Sequence, residues 1–311
     1  MINEIRIFSP ATVSNVACGF DVLGFPLESI GDEMIVRKTL QKGLTINNVS
    51  GFDLPMDIKK NAATVSASKL IEKLNPDCGF EIEIIKKIKP GSGIGSSGAS
   101  AAGSVYAINK LMGDPFTMGD LIKFAMKDMQ EDGMFEHPDN IAPALLGGFV
   151  LVKSISPLEI IKIPSPNDLY CTVVHPKIEV KTSYSRSILP KDVSLEDATK
   201  QLANFGSLIH GLHTSDYDLI KSSLNDHLIE KHRSKLIPKF QEIKSECLSN
   251  GALGCSISGS GPSIFALSQG IDRAKHVEQS INRVYSGSGL EFSTYVSKIN
   301  DRGVEIIENK Q

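Results

Sequence analysis

Lys89-Pro90-Gly91-Ser92-Gly93-Ile94-Gly95-Ser96-Ser97-Gly98-Ala99-Ser100-Ala101-Ala102-Gly103 is the stretch whose reading decides the fold. Glycines alternate with small residues, and the chain then enters a run rich in alanine, the strongest helix former. Such a segment is an anion cradle. Glycine lets backbone N–H groups approach a ligand with no Cβ in the way. The unpaired N–H groups and positive end of the following helix then favour phosphate. Ser96 and Ser97 add hydroxyls that can donate to phosphate oxygens or ligate Mg²⁺. A flexible linker would not follow an apolar strand so directly and run into a helix. Gly93-x-Gly95-x-x-Gly98 also matches the dinucleotide fingerprint, but that motif wants an acid closing the next strand about 20 residues on. The acid at that distance is Asp114, inside a Gly113-Asp114-Pro115 helix stop. No lysine follows the glycines in the Walker A manner, so the loop binds phosphate by another design.

The 311 residues around this loop, 41% of them apolar, suffice for two domains with real cores. A net charge of −3 leaves no footprint for a polyanion, so a nucleic-acid partner is not expected. No apolar run approaches the ~18–20 residues of a membrane span, and Met1-Ile2-Asn3-Glu4-Ile5-Arg6 lacks the basic region of a secretory signal. Five scattered cysteines without C-x-x-C spacing read as reduced thiols in the cytoplasm, not as zinc ligands or a disulfide framework.

Apolar or alternating β-formers predict strands over 4–8, 34–37, 44–49 and 80–88. Helices are predicted over 61–74, 97–112 and 117–129, the last opened by Thr117 and Asp120 as an approximate capping box. After strands at 149–154 and 160–163, the breaker run Pro164-Ser165-Pro166-Asn167-Asp168 divides the chain into domains at 1–165 and 166–311. Further strands (170–175, 252–256, 263–267, 292–297) and helices (198–213, 216–226, 239–250, 273–286) follow without strict β-α alternation. The fold class is α+β in two domains.

The segment Pro90-x-x-x-Gly-Ile-Gly-Ser-Ser-Gly-Ala99 closely resembles the central phosphate-loop motif of the GHMP kinases, which include galactokinase, homoserine, mevalonate and phosphomevalonate kinases. The family usually carries alanine where this chain has Gly98. Two more motifs agree in order. Residues 9–24, Ser-Pro-Ala-Thr-Val-Ser-Asn-Val-Ala-Cys-Gly-Phe-Asp-Val-Leu-Gly, read unaided as a polar, turn-rich segment after a first strand, and resemble the first motif in its homoserine-kinase form. Residues 251–263, a second glycine-serine loop that could by itself be a tight hairpin, are similar to the third, which packs against the phosphate loop. The resemblance implies an N-terminal domain like domain 2 of ribosomal protein S5 and a ferredoxin-like C-terminal domain. It also implies ATP and Mg²⁺ as cofactors. Pro90, Gly91, Ser92, Gly93, Ile94, Gly95, Ser96, Ser97 and Gly98 would face the nucleotide phosphates with Ser260, and Asn61 and the 86–89 stretch would lie near adenine.

The branch of the family is read from Glu136-His137-Pro138-Asp139-Asn140-Ile141-Ala142-Pro143, which matches the homoserine-kinase pattern H-x-D-N-x-A-P. The implied acceptor is L-homoserine, its side-chain hydroxyl the phosphorylated group. Asn15, Asp21, His137 and Asn140 would face it by carry-over, with Asp21 suited to the substrate ammonium. Thr182 with Arg186, and Arg233, fall in two further matching segments. Guanidinium forks bind carboxylate bidentately and keep their charge, so Arg186 and Arg233 are the expected clamp for the α-carboxylate. Asn15, Asn140 and Ser97 are the expected catalytic groups, acting by positioning and electrostatics without a dedicated base. The metal should take Ser97 and a glutamate on the helix before H-x-D-N. Met129 stands in the expected register, so Asp128, and after it Glu131, is the candidate carboxylate. A homodimer is a family-level expectation. The competing readings are a mevalonate- or sugar-type GHMP kinase and a binding protein of the same fold that has lost turnover.

Overall fold

A computed structural model describes residues 3–126, 128–129, 134–135 and 138–310, with the backbone alone at 128–129, 134–135 and 309–310. The chain opens with two long strands, β1 (Glu4–Val16) and β2 (Gly19–Thr39), followed by β3 (Leu44–Gly51), α1 (Ala62–Leu74), β4 (Gly79–Lys86) and α2 (Ser96–Leu111). Next come α3 (Met118–Ala125), the two-residue strands β5 (Asp128–Met129) and β6 (Met134–Phe135), α4 (Pro138–Leu146), β7 (Phe149–Ile155) and β8 (Leu158–Ile163). The second half holds β9 (Leu169–Pro176), α5 (Thr182–Ser187), α6 (Leu195–Thr214), α7 (Tyr217–Ser223), α8 (Glu230–Arg233) and α9 (Phe240–Ser249). It closes with β10 (Gly254–Ile257), β11 (Ile264–Gln269), α10 (Ile271–Ser286), β12 (Phe292–Lys298) and β13 (Glu305–Lys310).

Seven strands form the first sheet, in the order β13-β1-β2-β4-β3, with β7 on the other part of β2 and β8 beyond it. Its pairings are antiparallel except β3 with β4. The C-terminal strand β13 returns from the second half to pair with β1. Alternation along β4, with Phe80, Ile82 and Ile84 buried, aims one face at α1 to α4 and makes the first core. The second sheet, β10-β11-β9-β12, is antiparallel throughout. A continuous apolar cluster joins the halves: Val13, Phe25 and Phe149 from the first pack with Val173 and Phe265 from the second. No described helix is long and apolar enough to cross a membrane. All five cysteines are free thiols.

Two local features bear on function. Residues 9–24, expected as a loop, are the facing arms of the β1–β2 hairpin. Asn15, Ala17 and Asp21 in these arms adopt positive φ (56°, 46° and 58°). Asn and Asp tolerate that region better than most residues, and the kinks break the regular ladder where the polar side chains lie. Helix α3 carries the expected Thr117–Asp120 capping box but stops at Ala125, four residues short of its predicted end, because Met126 leaves helical backbone at ψ 47°.

Candidate active site

The phosphate loop runs from the end of β4 into α2 and is held by backbone geometry. Gly91, Gly93 and Gly95 have φ of 73°, 82° and 67°, a region where glycine pays no Cβ penalty. Gly95 is the N-cap of α2 and provides no side-chain acceptor, so the first N–H groups of the helix are left to a ligand. The third motif braces the loop from below, as Ser258 Oγ donates to Gly93 O (2.7 Å) and Ser263 Oγ to Ser92 O (2.6 Å).

A buried ion pair pins both ends of the loop. The Lys86 ammonium pairs with Asp32 and donates to Ser96 O (2.7 Å) and Ser100 Oγ (2.9 Å) in the first turns of α2. The other Asp32 oxygen accepts from the N–H groups of Lys87 and Ile88, both at 2.9 Å. Both side chains are essentially fully buried, at 1% and 0% exposure. Asp32→Ala would leave the ammonium without its counter-charge, a loss of about 3–5 kcal/mol. The expected result is a fall in Tm of roughly 10 °C; an unchanged Tm by calorimetry would show that the pair contributes nothing.

Across the cleft stand the hairpin and the C-terminal half. Asn15 Oδ1 accepts from the Asp21 N–H (2.7 Å), and its Nδ2 donates to Gly259 O (2.9 Å). Both Asp21 carboxylate oxygens accept from Arg186 Nη2 (2.9 and 3.0 Å). Arg186 and Arg233 converge on the Phe20 ring, their guanidinium carbons 5.5 and 5.1 Å from its centroid. Arg233 is buried, at 2% exposure, and among the described residues donates to carbonyls alone, Ser185 O (3.3 Å) and Gly259 O (2.9 Å). No carboxylate within ion-pair distance faces it among the described residues. Burial, followed by the charge of Arg186, lowers its pKa to about 10. A buried cation that no described carboxylate touches offers its charge to an anion in the cleft.

Helix α4 closes the third side. Asn140 Oδ1 accepts from Thr12 Oγ1 (2.8 Å) and its Nδ2 donates to Ser14 Oγ (3.0 Å), so the amide bridges the first motif. The same residue abuts the phosphate loop, since a Cβ on Gly98 would lie 3.2 Å from Asn140 Cβ. Asp139, at 1% exposure, packs its backbone on Gly24, where a Cβ would come within 1.9 Å of Asp139 O. That close approach accounts for glycine there.

A cleft of about 390 Å³ lies between these walls. Asn15, Asp21, Asn140, Thr182, Arg186, Arg233 and Ser260 line it, and so do Asn61, Pro90, Gly91, Gly93, Gly95, Ser96, Ser97 and Gly98. Ser92 and Ile94 turn their side chains into the interior, leaving only backbone for a nucleotide. Ser96 Oγ is committed to Ile88 O (3.1 Å), whereas Ser97 is exposed. Asn61 caps α1 through Ala63 N (3.0 Å) and donates to Pro55 O (2.9 Å). His137, the Asp128 side chain and Glu131 lie outside the described residues. Sequence reasoning gave no role to Ser14 or Asp139, which also line the cleft, and placed Lys86 only in the stretch expected near adenine. Lys86 ends an apolar strand and Asp139 sits inside a motif quoted for its neighbours, so neither carried a signal of its own.

Residues 60–148 match the family model of the GHMP kinases N terminal domain, and residues 203–287 that of the GHMP kinases C terminal domain. A homoserine kinase from Chlorobium phaeovibrioides is 42% identical over 98% of this chain and 100% of its own length. One from Pyrococcus horikoshii is 36% identical over 95% and 97%. The crystal structure of homoserine kinase from Cytophaga hutchinsonii superposes with a TM-score of 0.94 at 45% identity, covering 99% of this chain and 98% of that one. The L. major mevalonate kinase structure shares the fold, with a TM-score of 0.73 at 15% identity.

Proposed function

The chain belongs to the GHMP kinase family, and from that premise we infer that it is a homoserine kinase, transferring the γ-phosphoryl of ATP to the side-chain hydroxyl of L-homoserine in threonine biosynthesis. The observation that carries the acceptor is the buried Arg233 guanidinium, unpaired by any described carboxylate, facing the phosphate loop across one cleft. A sugar acceptor has no carboxylate for it to bind.

In this reading Arg233 and Arg186 hold the α-carboxylate, and the kinked hairpin fixes Asn15 and Asp21 beside the amino-acid end. The α2 N-terminus and loop N–H groups take the β- and γ-phosphates. Asn140, held between Thr12 and Ser14, stands where the two substrates meet, and catalysis rests on alignment and on charge neutralisation without a dedicated base. Mg²⁺ brought in with the nucleotide would neutralise phosphoryl oxygens. Ser97, the hydroxyl left open toward the cleft, would hold it with Asp128 or Glu131, and one or two protein oxygens suit a cation that keeps its waters. We place the enzyme in the cytoplasm on its free thiols, divide it at residues 165 and 166, and take a homodimer as its assembly.

A coupled ADP-release assay with L-homoserine, mevalonate and galactose tests the acceptor. Turnover with L-homoserine alone is expected. Turnover with mevalonate and not L-homoserine would sink the assignment, and nucleotide binding without turnover on any acceptor would favour a non-catalytic role. Asp128→Ala should raise the Mg²⁺ concentration for half-maximal rate about tenfold; an unchanged requirement moves the metal role to Glu131.

A further inference from the structure

We propose that Asp139 holds the α-ammonium of the amino-acid substrate and thereby sets the preference for a zwitterion over a plain hydroxy acid. The proposal rests on the homoserine kinase reading of the cleft and names a residue of that site to which no role has been given above.

Four observations carry it. Asp139 Oδ1 is buried at the cleft and has no hydrogen-bond partner among the described residues. A buried carboxylate oxygen without a partner is costly, and a fold that retains one beside a ligand cleft has a cation to receive. Second, Asp139 is fixed in place by what surrounds it: its backbone packs on Gly24, and its helix neighbour Asn140 is held between Thr12 and Ser14. The carboxylate also sits in the first turn of α4, where the helix dipole favours negative charge.

Third, Asp21, which the family resemblance offers for the ammonium, has both oxygens on Arg186 Nη2. Fourth, the ammonium and carboxylate of an α-amino acid share one carbon. A carboxylate seated on Arg233 therefore puts the ammonium within a few ångströms of it, and Asp139 is among the carboxylates whose charge Arg233 feels. Among the described residues, the charged groups facing Asp139 are Asp21 from β2 and Arg233 from α8. Burial and then the charge of Asp21 raise the Asp139 pKa to about 7. A substrate cation lodged beside these two carboxylates removes their repulsion.

The test compares Asp139→Asn with wild type on L-homoserine and on 4-hydroxybutyrate, which lacks the ammonium. The readout is kcat/KM where turnover occurs and the competitive inhibition constant otherwise. Asp139→Asn should lower kcat/KM for L-homoserine about 100-fold, as loss of one partner of a buried charge pair does. The value for 4-hydroxybutyrate should not fall, so discrimination between the two collapses. Wild-type kcat/KM for L-homoserine should rise with pH through about 7 as Asp139 ionises, and the limb should be absent in the variant. The variant should also melt at a higher temperature at pH 8, because it no longer buries an unpaired charge. Equal losses on both compounds, an unchanged preference, or a lowered Tm would overturn the role of Asp139. A wild-type enzyme inactive on L-homoserine would instead defeat the reading of the whole cleft, and this proposal with it.

Discussion

Arg233→Leu should lower kcat/KM for L-homoserine by about three orders of magnitude and leave KM for ATP within about twofold. Removing one member of a buried, hydrogen-bonded charge pair costs about 2–5 kcal/mol, and each 1.4 kcal/mol is a factor of ten. The upper half of that range applies because the guanidinium is 2% exposed, where solvent screens it little. The loss is confined to the acceptor because the Arg233 contacts lie on the hairpin and C-terminal side. Its Nη1 donates to Gly259 O, and its ring neighbour is Phe20. Stability moves little, since two hydrogen bonds to carbonyls are lost while an uncompensated buried charge is removed. Arg233→Lys keeps charge but not the planar fork, and should recover only part of the loss. Steady-state kinetics with each substrate varied in turn decide the matter. Equal increases in both KM values would remove Arg233 from the clamp and point to general disturbance of the cleft.

How far the sequence could be read depended on what each residue needs in order to act. Loop 91–98 was legible because its function is backbone: glycine spacing followed by a helix former encodes the conformation and the unpaired N–H groups together. Strand alternation in β4 and the capping residue Thr117 were legible for the same local reason. The hairpin at 9–24 was not. Its polar, small residues look like loop, and only tertiary pairing of β1 with β2, along with positive φ at Asn15 and Asp21, turns them into strand arms that carry the site. The return of β13 to β1 is equally invisible, since the pairing spans nearly the whole chain. Arg186 and Arg233 were found through matching segments. Their chemical difference, one paired to Asp21 and exposed, the other buried and facing carbonyls, is a property of the packed structure. The buried pairing of Lys86 with Asp32 and the burial of Asp139 were missed because a buried charge is indistinguishable in sequence from a surface one until its surroundings are seen.

Gly95→Ala should abolish measurable nucleotide binding, raising Kd for ATP by at least about 100-fold, while the protein still unfolds cooperatively. Two effects add at this position. Alanine at φ 67° pays about 1–2 kcal/mol for left-handed backbone. Its Cβ would also fall 1.9 Å from Thr12 Oγ1, a distance that real Cβ atoms essentially never show, and 3.0 Å from Asn140 Oδ1, a tight contact. Thr12 cannot step aside at low cost. Its N–H donates to Ile94 O (3.2 Å), and its hydroxyl donates to Asn140, which is held in turn by Ser14. The loop must therefore move away from β1, taking with it the first N–H groups of α2 that form the cradle. A displacement of about 1 Å in such a site costs on the order of 100-fold. Gly91→Ala is the control: φ is 73° there, and a Cβ would meet nothing within 4 Å. It pays the conformational term alone and should lower Tm by a few degrees, with ATP affinity reduced no more than about tenfold. If the two variants lose affinity equally, the clash with Thr12 is irrelevant, and the fit of the phosphate loop against the first motif is not what aligns the nucleotide. If Gly95→Ala alone fails, the N-terminal hairpin is part of the nucleotide site although it need not touch ATP.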